Sequence, residues 1–219
     1  NGNLDYKNEK FLCNNCQSQY NYKNKKIYFT ESLEANDSLD KLKNLFKKYL
    51  GDIYFKYGIQ IISPSYPFNF HKEIEKEIKL DSIIAIDLGS GVSKYNENII
   101  CLDICDYSNV DIVCDISKLP FKKESIDIIM SRSVMEHVPD PYKIFNEIKR
   151  CTKVGGYTAH LIPWMMPFHA SPYDFHRFSH KAVSNIFSNW TLVSQFAPFG
   201  FMTLMLHIIT EFFPSLFFS

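Results

Sequence analysis

The sequence predicts a doubly wound α/β fold built on a mostly parallel sheet. Five short apolar runs recur between residues 83 and 162, and the first three each carry an acid at or near their end. Runs of this length suit strands buried on both faces of a parallel sheet. A helix-period segment separates the fourth run from the fifth, as a crossover would. With 46% apolar and 22% charged residues over 219 positions, the chain has room for one full globular domain and an appendage, and is not disordered overall.

Taken in order, residues 1–30 read as short extended pieces around a cysteine pair. Residues 38–50 place Leu39, Leu42, Leu45, Phe46 and Tyr49 at helical spacing, with Gly51 as a stop. Residues 51–70, rich in Gly, Pro and aromatics, read as loop and short helix, and residues 71–80 as a charged helix. The apolar runs follow at residues 83–88, 99–103, 110–115, 126–130 and 156–162. Residues 141–151 form a helix with Ile144, Phe145 and Ile148 on one face and Lys149-Arg150 near its end. Ser179 is placed to cap a helix over 180–187, and residues 192–196 read as a further strand. About ten residues join the first two runs and about six join the next two. A parallel crossover normally takes a dozen or more, so the first two crossover helices are expected to be reduced to turns.

Charge and cysteine usage narrow the function classes. Lys+Arg and Asp+Glu both number 24, which disfavours a basic-patch nucleic-acid binder. The cysteines follow no signal-like apolar run, so reduced thiols in a cytoplasmic setting are expected. Cys101, Cys105, Cys114 and Cys151 read as small buried side chains. Cys13 and Cys16 form a C-x-x-C knuckle, a spacing that lets two thiolates face one tetrahedral metal ion. With Phe11, Leu12 and Tyr20 this segment resembles the second half of a small zinc ribbon. A zinc site needs four ligands, so Cys13 and Cys16 bind metal only if a second pair lies upstream of Asn1. Two readings compete: the first knuckle lies upstream of Asn1, or the ribbon has decayed and the two are plain thiols; zinc is a minor expectation for the chain as it stands. At the other end, Glu211 is the only charge after Lys181. The apolar stretch around residues 199–206 falls short of the ~20 residues a span requires. A core or interfacial helix is expected there, with a membrane-surface or partner-protein contact as the alternative. The missing initial Met and the apolar end suggest that the sequence comes from a longer chain.

Ligands of an open α/β sheet sit at the carboxyl ends of its strands. Asp87, Asp103 and Asp115 stand at those ends. A carboxylate can accept two hydrogen bonds from a ribose diol, and Gly89 and Gly91 remove side chains where a ligand approaches the backbone. Asp87-Leu88-Gly89-Ser90-Gly91 is therefore a candidate cofactor loop. A dinucleotide loop would want a third glycine near position 94, where Lys94 stands, and a helix amino terminus for the pyrophosphate.

In order along the chain come Asp87-Leu88-Gly89-Ser90-Gly91, Leu102-Asp103, Cys114-Asp115-Ile116, Leu119-Pro120-Phe121, Ser125-Ile126-Asp127, Glu136-His137-Val138 and Gly155-Gly156. This set resembles the class I S-adenosylmethionine-dependent methyltransferases. The resemblance spans roughly residues 83–179 and is closest to the small-molecule type that includes quinone and lipid enzymes. It implies a Rossmann-like sheet with S-adenosylmethionine as cofactor. At the matching positions it implies that Asp87, with Gly89, Ser90 and Gly91, holds the methionine end and that Asp103 takes the ribose hydroxyls. Asp115 and the Ile116 backbone would meet the adenine, and Ser131 would line the sulfonium region. The Glu136-His137-Val138 segment would wall cofactor from acceptor; a helix start with a satisfied His is the structural alternative. Ser93 stands where the family loop commonly has a further glycine.

The segment running from His169 to Phe178 holds acid–base candidates. His169 or His176 could serve as base for a hydroxyl or phenol acceptor. Asp174 and Arg177 could pair to hold this loop or orient an anionic acceptor; solvated histidines and a structural salt bridge are the plainer reading. Trp164, Met165, Met166, Phe168 and Tyr173 form either an apolar acceptor pocket or part of a core.

The expectation is a methyltransferase acting on a small-molecule or lipid-like acceptor. Its organisation would be a partial ribbon over 1–30, a helical and loop lid over 31–80, the cofactor-binding domain over 81–197 and an apolar segment over 198–219. The rival readings are a non-catalytic S-adenosylmethionine-binding or partner-scaffolding module, and a nicotinamide-dependent oxidoreductase.

Overall fold

The computed structural model describes residues 3–7, 10–33, 49, 69–80, 83–164, 173–195, 197 and 205. The helix expected over 38–50 and the apolar segment 198–219 lie outside these, apart from Tyr49 and Met205. The chain divides into two compact units, Asn1–Glu34 with Phe70–Ile162, and Ala35–Asn69 with Pro163–Ser219.

The first unit is organised by one nine-stranded sheet. Its strands are β1 (Leu4–Lys7), β2 (Lys10–Cys13), β3 (Gln19–Lys23), β4 (Lys26–Tyr28), β5 (Ala85–Leu88), β6 (Ile99–Asp103), β7 (Ile112–Val113), β8 (Ile126–Arg132) and β9 (Thr152–Leu161). They lie in the order β1-β2-β3-β4-β7-β6-β5-β8-β9. The contacts from β4–β7 through β8–β9 are parallel, and β1 to β4 form an antiparallel meander. The α/β expectation with a mostly parallel centre is thus met, and residues 4–28 extend the same sheet. Ala85, Ile86, Leu88, Ile99, Leu102, Ile128, Ile129 and Met130 are buried in its central strands. Their contiguous apolar runs reflect cover on both faces.

The first two crossovers contain no helix. Residues 89–98 and 104–111 make only turns and bends. Side chains fix them instead. Lys94 Nζ contacts both Asp111 carboxylate oxygens at 3.1 Å, Asn109 Nδ2 donates to the Ser93 carbonyl at 2.8 Å, and the Cys101 amide donates to Asp111 Oδ2 at 2.8 Å.

Helix α1 (Phe70–Glu75) is shorter than the expected 71–80, and buries Phe70, His71 and Ile74. Helix α2 (Pro141–Cys151) matches its expected bounds. Asp140 caps it by accepting from the Lys143 amide, and Pro141 opens it where no backbone N–H is needed. Its buried face, Pro141, Ile144, Phe145, Ile148 and Cys151, follows the helical period. Strand β9 begins at Thr152, directly after α2, rather than at 156. Its pairing with β8 shifts register between Ile126 and Ile128, so the Gly155-Gly156 pair lies inside an irregular strand. The third apolar run yields only two strand residues, Ile112 and Val113.

In the second unit, helix α3 (His180–Ile186) is capped by Ser179 Oγ, which accepts from the Ala182 amide at 3.3 Å. Residues 191–195 are exposed and irregular, not the strand expected there. Among the described residues no strand pairs with the Leu192-Val193 pair, and both side chains are exposed.

Arg150 joins α2 to the loop before β8. It donates to both Glu147 oxygens at 2.7 Å and to the Phe121 and Leu119 carbonyls at 2.8 and 3.0 Å, while Glu147 accepts from the Leu119 amide. Charge-assisted bonds of this kind contribute roughly 1.5–3 kcal/mol before partial solvent exposure weakens them. Arg150→Ala should therefore lower unfolding stability by about 2 kcal/mol in urea titration. A loss under about 0.5 kcal/mol, the scale of an inert surface change, would show the brace to be idle.

Candidate active site at the carboxyl ends of the parallel strands

The sheet brings Asp87, Gly89, Ser90, Gly91, Asp103, Asp115, Ile116 and Ser131 to one end, because β5, β6, β7 and β8 run parallel. Asp87 lies within β5, buried, and its carboxylate accepts no hydrogen bond among the described residues. Facing it is His71 of α1, whose Nε2 stands 3.7 Å from Asp87 Oδ2. The turn after β5 passes through Gly89 and Gly91, both with left-handed φ values of 62° and 58°. A Cβ on Gly89 would meet Val134 Cγ2 at 2.6 Å, so both backbone and packing demand glycine there. At Gly91 nothing lies within 4 Å of that position, and the backbone is open on that side.

Asp103 closes β6 and holds the loop. Its Oδ2 accepts from the Gly91 amide and its Oδ1 from the Cys105 amide, both at 2.9 Å. Each oxygen keeps a lone pair for a further donor. Asp115 is exposed beyond β7 and accepts from the Ser117 amide at 2.8 Å, with Ile116 half-buried beside it. Glu136 is buried in a short 3₁₀ turn (Met135–His137), 3.7 Å from His137 Nε2.

Ser131 is fully buried on β8, and its Oγ meets His160 Nδ1 at 2.8 Å. His160 Nε2 bonds Thr158 Oγ1, and the ring packs edge-on against Phe145. Desolvation pushes the His160 imidazole down to about 4. A neutral ring linking two hydroxyls ties β8 to β9 beside the site. The sequence holds one signal for it: Thr158 and His160 are polar residues at strand spacing in an apolar run. His71 carries no such signal, because a lone His on a charged helix is indistinguishable from a surface one.

The remaining candidates do not belong to these strand ends of the first unit or fall outside the described residues. His176 and Asp174 belong to the second unit, where Asp174 forms a two-pronged ion pair with Arg177, at 2.6 Å on one prong. His169 lies outside the described residues. Cys13 and Cys16 sit at the β2–β3 turn, Cys13 buried and Cys16 exposed. Among the described residues no group of three or more His, Cys, Asp or Glu gathers to hold a metal ion. Hydrogen bonding from Ser18, then from Cys13, pulls the Cys16 thiol down to about 7. Burial raises Cys101 to about 11, Cys114 to about 12 and Cys151 to about 11.

The arrangement can hold a ligand that offers an ammonium and a diol. The buried Asp87 carboxylate, left without a hydrogen bond, suits a cation. Asp103 suits paired hydroxyls, and the open Gly91 backbone admits a ligand atom close to the chain. The same end does not suit a pyrophosphate. No helix opens after the Gly loop, and Lys94, where a dinucleotide loop wants glycine, is held by Asp111.

Comparison with known proteins agrees with this geometry. Residues 71–160, which include the central strands, match the family described as a methyltransferase domain. An uncharacterized methyltransferase of Mycobacterium sp. (strain KMS) is 42% identical over 57 residues, covering 24% of this chain and 21% of that protein. One from Mycobacterium leprae (strain TN) is 44% identical over 55 residues, covering 23% and 19%. The matched stretch is thus about a fifth of the length of these curated relatives. Among solved structures, an S-adenosylmethionine-dependent methyltransferase of Thermotoga maritima, described as a possible histamine N-methyltransferase, is 16% identical with a TM-score of 0.47, over 67% of this chain and 79% of that one. An S-adenosylmethionine-dependent methyltransferase of Mesorhizobium loti is 18% identical with a TM-score of 0.36, over 44% and 55%.

Two outcomes follow for titration and reactivity. The His160 ring binds a proton less readily folded than unfolded, from about 6.5 in a free chain to about 4. Its contribution is therefore complete above pH 6.5 and is lost as pH falls toward 4. The full swing is at most ~3 kcal/mol, reduced by solvent reaching this half-buried residue. His160→Asn should flatten the fall in urea-derived stability between those limits; an unchanged slope would refute the assignment. Alkylation at pH 7, read by peptide mass spectrometry, should label Cys16 first and leave Cys101, Cys114 and Cys151 unlabelled in the folded protein.

Proposed function

We propose that this chain binds S-adenosylmethionine at the carboxyl ends of β5 to β8 and transfers its methyl group to a small-molecule or lipid-like acceptor. The observation that carries the reading is the convergence of Asp87, Asp103 and Asp115 around a glycine turn, within a segment that matches a methyltransferase domain. Asp87 would accept from the ammonium of the methionine end and Asp103 from the ribose hydroxyls. Asp115 would accept from the adenine amino group, with the Ile116 backbone beside the ring. Ser131, fixed by His160, would line the region near the sulfur.

When bound, S-adenosylmethionine supplies a methyl group on a positive sulfur that leaves as a neutral thioether. The chain then has no leaving group to protonate. Its residues align the acceptor with the sulfur and exclude water. A hydroxyl acceptor also needs a base, and His169 and His176 are the candidates, with Asp174 and Arg177 holding that loop. Cys13 and Cys16 would join a zinc site only with two further ligands supplied from outside the described residues.

Calorimetry tests the reading directly. The full chain should bind S-adenosylmethionine and not NAD. Asp103→Ala should weaken that binding by roughly 10–100-fold, since it removes charge-assisted hydrogen bonds to the ligand and frees the Gly91 amide. Tight NAD binding without S-adenosylmethionine binding would overturn it. Binding without methyl transfer to any quinone, phenol or lipid acceptor offered would favour a non-catalytic binding module.

A further inference from the structure

We propose that His71 is a positioning residue for Asp87, holding that carboxylate ready for the ammonium of a bound amino-acid group; this inference rests on the cofactor reading above. His71 is 5% exposed and its Nε2 has no hydrogen-bond partner. Leaving a ring nitrogen buried and unsatisfied costs about 1–3 kcal/mol. The polar group that faces it is Asp87 Oδ2, at 3.7 Å, and that carboxylate is itself buried and without a hydrogen bond among the described residues. Each is the partner the other needs. A contraction of about 1 Å brings them to the ~2.7–2.9 Å of a charge-assisted bond.

The ring is held for this task. It stacks on Tyr95 with centroids 4.3 Å apart and planes 7° from parallel. Tyr95 in turn donates its hydroxyl to Glu75 Oε2 at 3.0 Å, on the same helix as His71. Tyr95 belongs to the crossover that lacks a helix, so α1 and this loop fix each other through the stack. The result is one ring nitrogen, held by the stack, facing Asp87 Oδ2. Hydrogen bonding to the ionised form keeps a buried carboxylate charged. It also fixes the rotamer that aims the other oxygen at a cation.

The consequence is selective. His71 would matter for ligands that carry the amino-acid tail and not for those that lack it. Two probes separate these, S-adenosylhomocysteine and 5′-methylthioadenosine, measured by calorimetry on the full chain. His71→Phe keeps a ring to stack on Tyr95 and removes Nε2. It should weaken S-adenosylhomocysteine roughly tenfold and leave 5′-methylthioadenosine unchanged. His71→Gln, which returns an N–H donor near the same place, should recover most of the loss. Equal weakening of both probes in His71→Phe would show a merely structural role and overturn the inference. So would no weakening of either, or failure of His71→Gln to recover. Asp87→Ala separates the two levels of argument. If it weakens only S-adenosylhomocysteine while His71→Phe does nothing, the cofactor site stands and His71 is wrongly assigned. If the unaltered chain binds neither probe, the cofactor reading fails and this inference with it.

Discussion

The site depends on pairing β5 with β6 in parallel across a connection that has no helix. A crossover helix normally covers such a strand pair and lends its amino terminus to the loop that precedes it. Here side-chain carboxylates do both jobs. Asp103 ties the Gly91 and Cys105 amides, and Asp111 ties the Cys101 amide and the Lys94 ammonium. The loop geometry that a helix would impose by its backbone is imposed by acids at the ends and edges of strands. Asp103 therefore has two roles that cannot be altered separately: it shapes the turn, and it presents its free lone pairs beside it.

The amino-terminal meander is the second support. Strand β7 has only two residues, and by itself it would be a weak, open edge. Strand β4 covers it: the Ile27 amide donates to Asp111 and the Phe29 amide to Val113. Lys26 and Tyr28 add bonds to Asp106, at 2.6 and 2.7 Å, and Lys26 reaches the Tyr107 carbonyl at 2.5 Å. Just beyond, the Leu33 amide donates to the Ile104 carbonyl, one residue past Asp103. The segment that holds the cysteine pair thus shares main-chain bonds with the loops beside the candidate site. Tyr28 shows how close that coupling is, since burial and the Asp106 carboxylate raise its hydroxyl to about 12.

What the sequence discloses of this arrangement follows from where the physics is local. Helix α2 is legible to the residue because Asp140, Pro141 and an apolar period are all local signals. The acids at strand ends are legible because a charge that abruptly ends an apolar run marks where the strand leaves the core. Pairing partners are not local. The apolar pair Leu192-Val193 reads like the earlier runs, but no strand lies beside it among the described residues. The fifth apolar run reads as a strand that starts at Gly156, yet β9 already pairs with β8 at Thr152 and takes in the glycines with a register shift. His71 escapes a sequence reading for the same reason, and the partners of His160 do too. Their meaning lies in Asp87, Tyr95, Ser131 and Phe145, residues that only the folded sheet brings near.

The charge balance at this end of the sheet also bears on the proposed ligand. Asp87, Asp103 and Asp115 converge there, and the nearest lysine of the Gly loop, Lys94, is already paired with Asp111 and lies 3.5 Å from Glu97. Burial makes like charges expensive to bring together and makes an added cation correspondingly favourable. A dinucleotide would bring its pyrophosphate anions to Asp87 and Asp103, with no helix amino terminus to receive them. A ligand with an ammonium and a sulfonium brings positive charge to the same carboxylates. The whole-chain balance of 24 cations against 24 anions conceals this local field. On the proposed reading, these carboxylates favour a cationic ligand over a dinucleotide more than the glycine turn does.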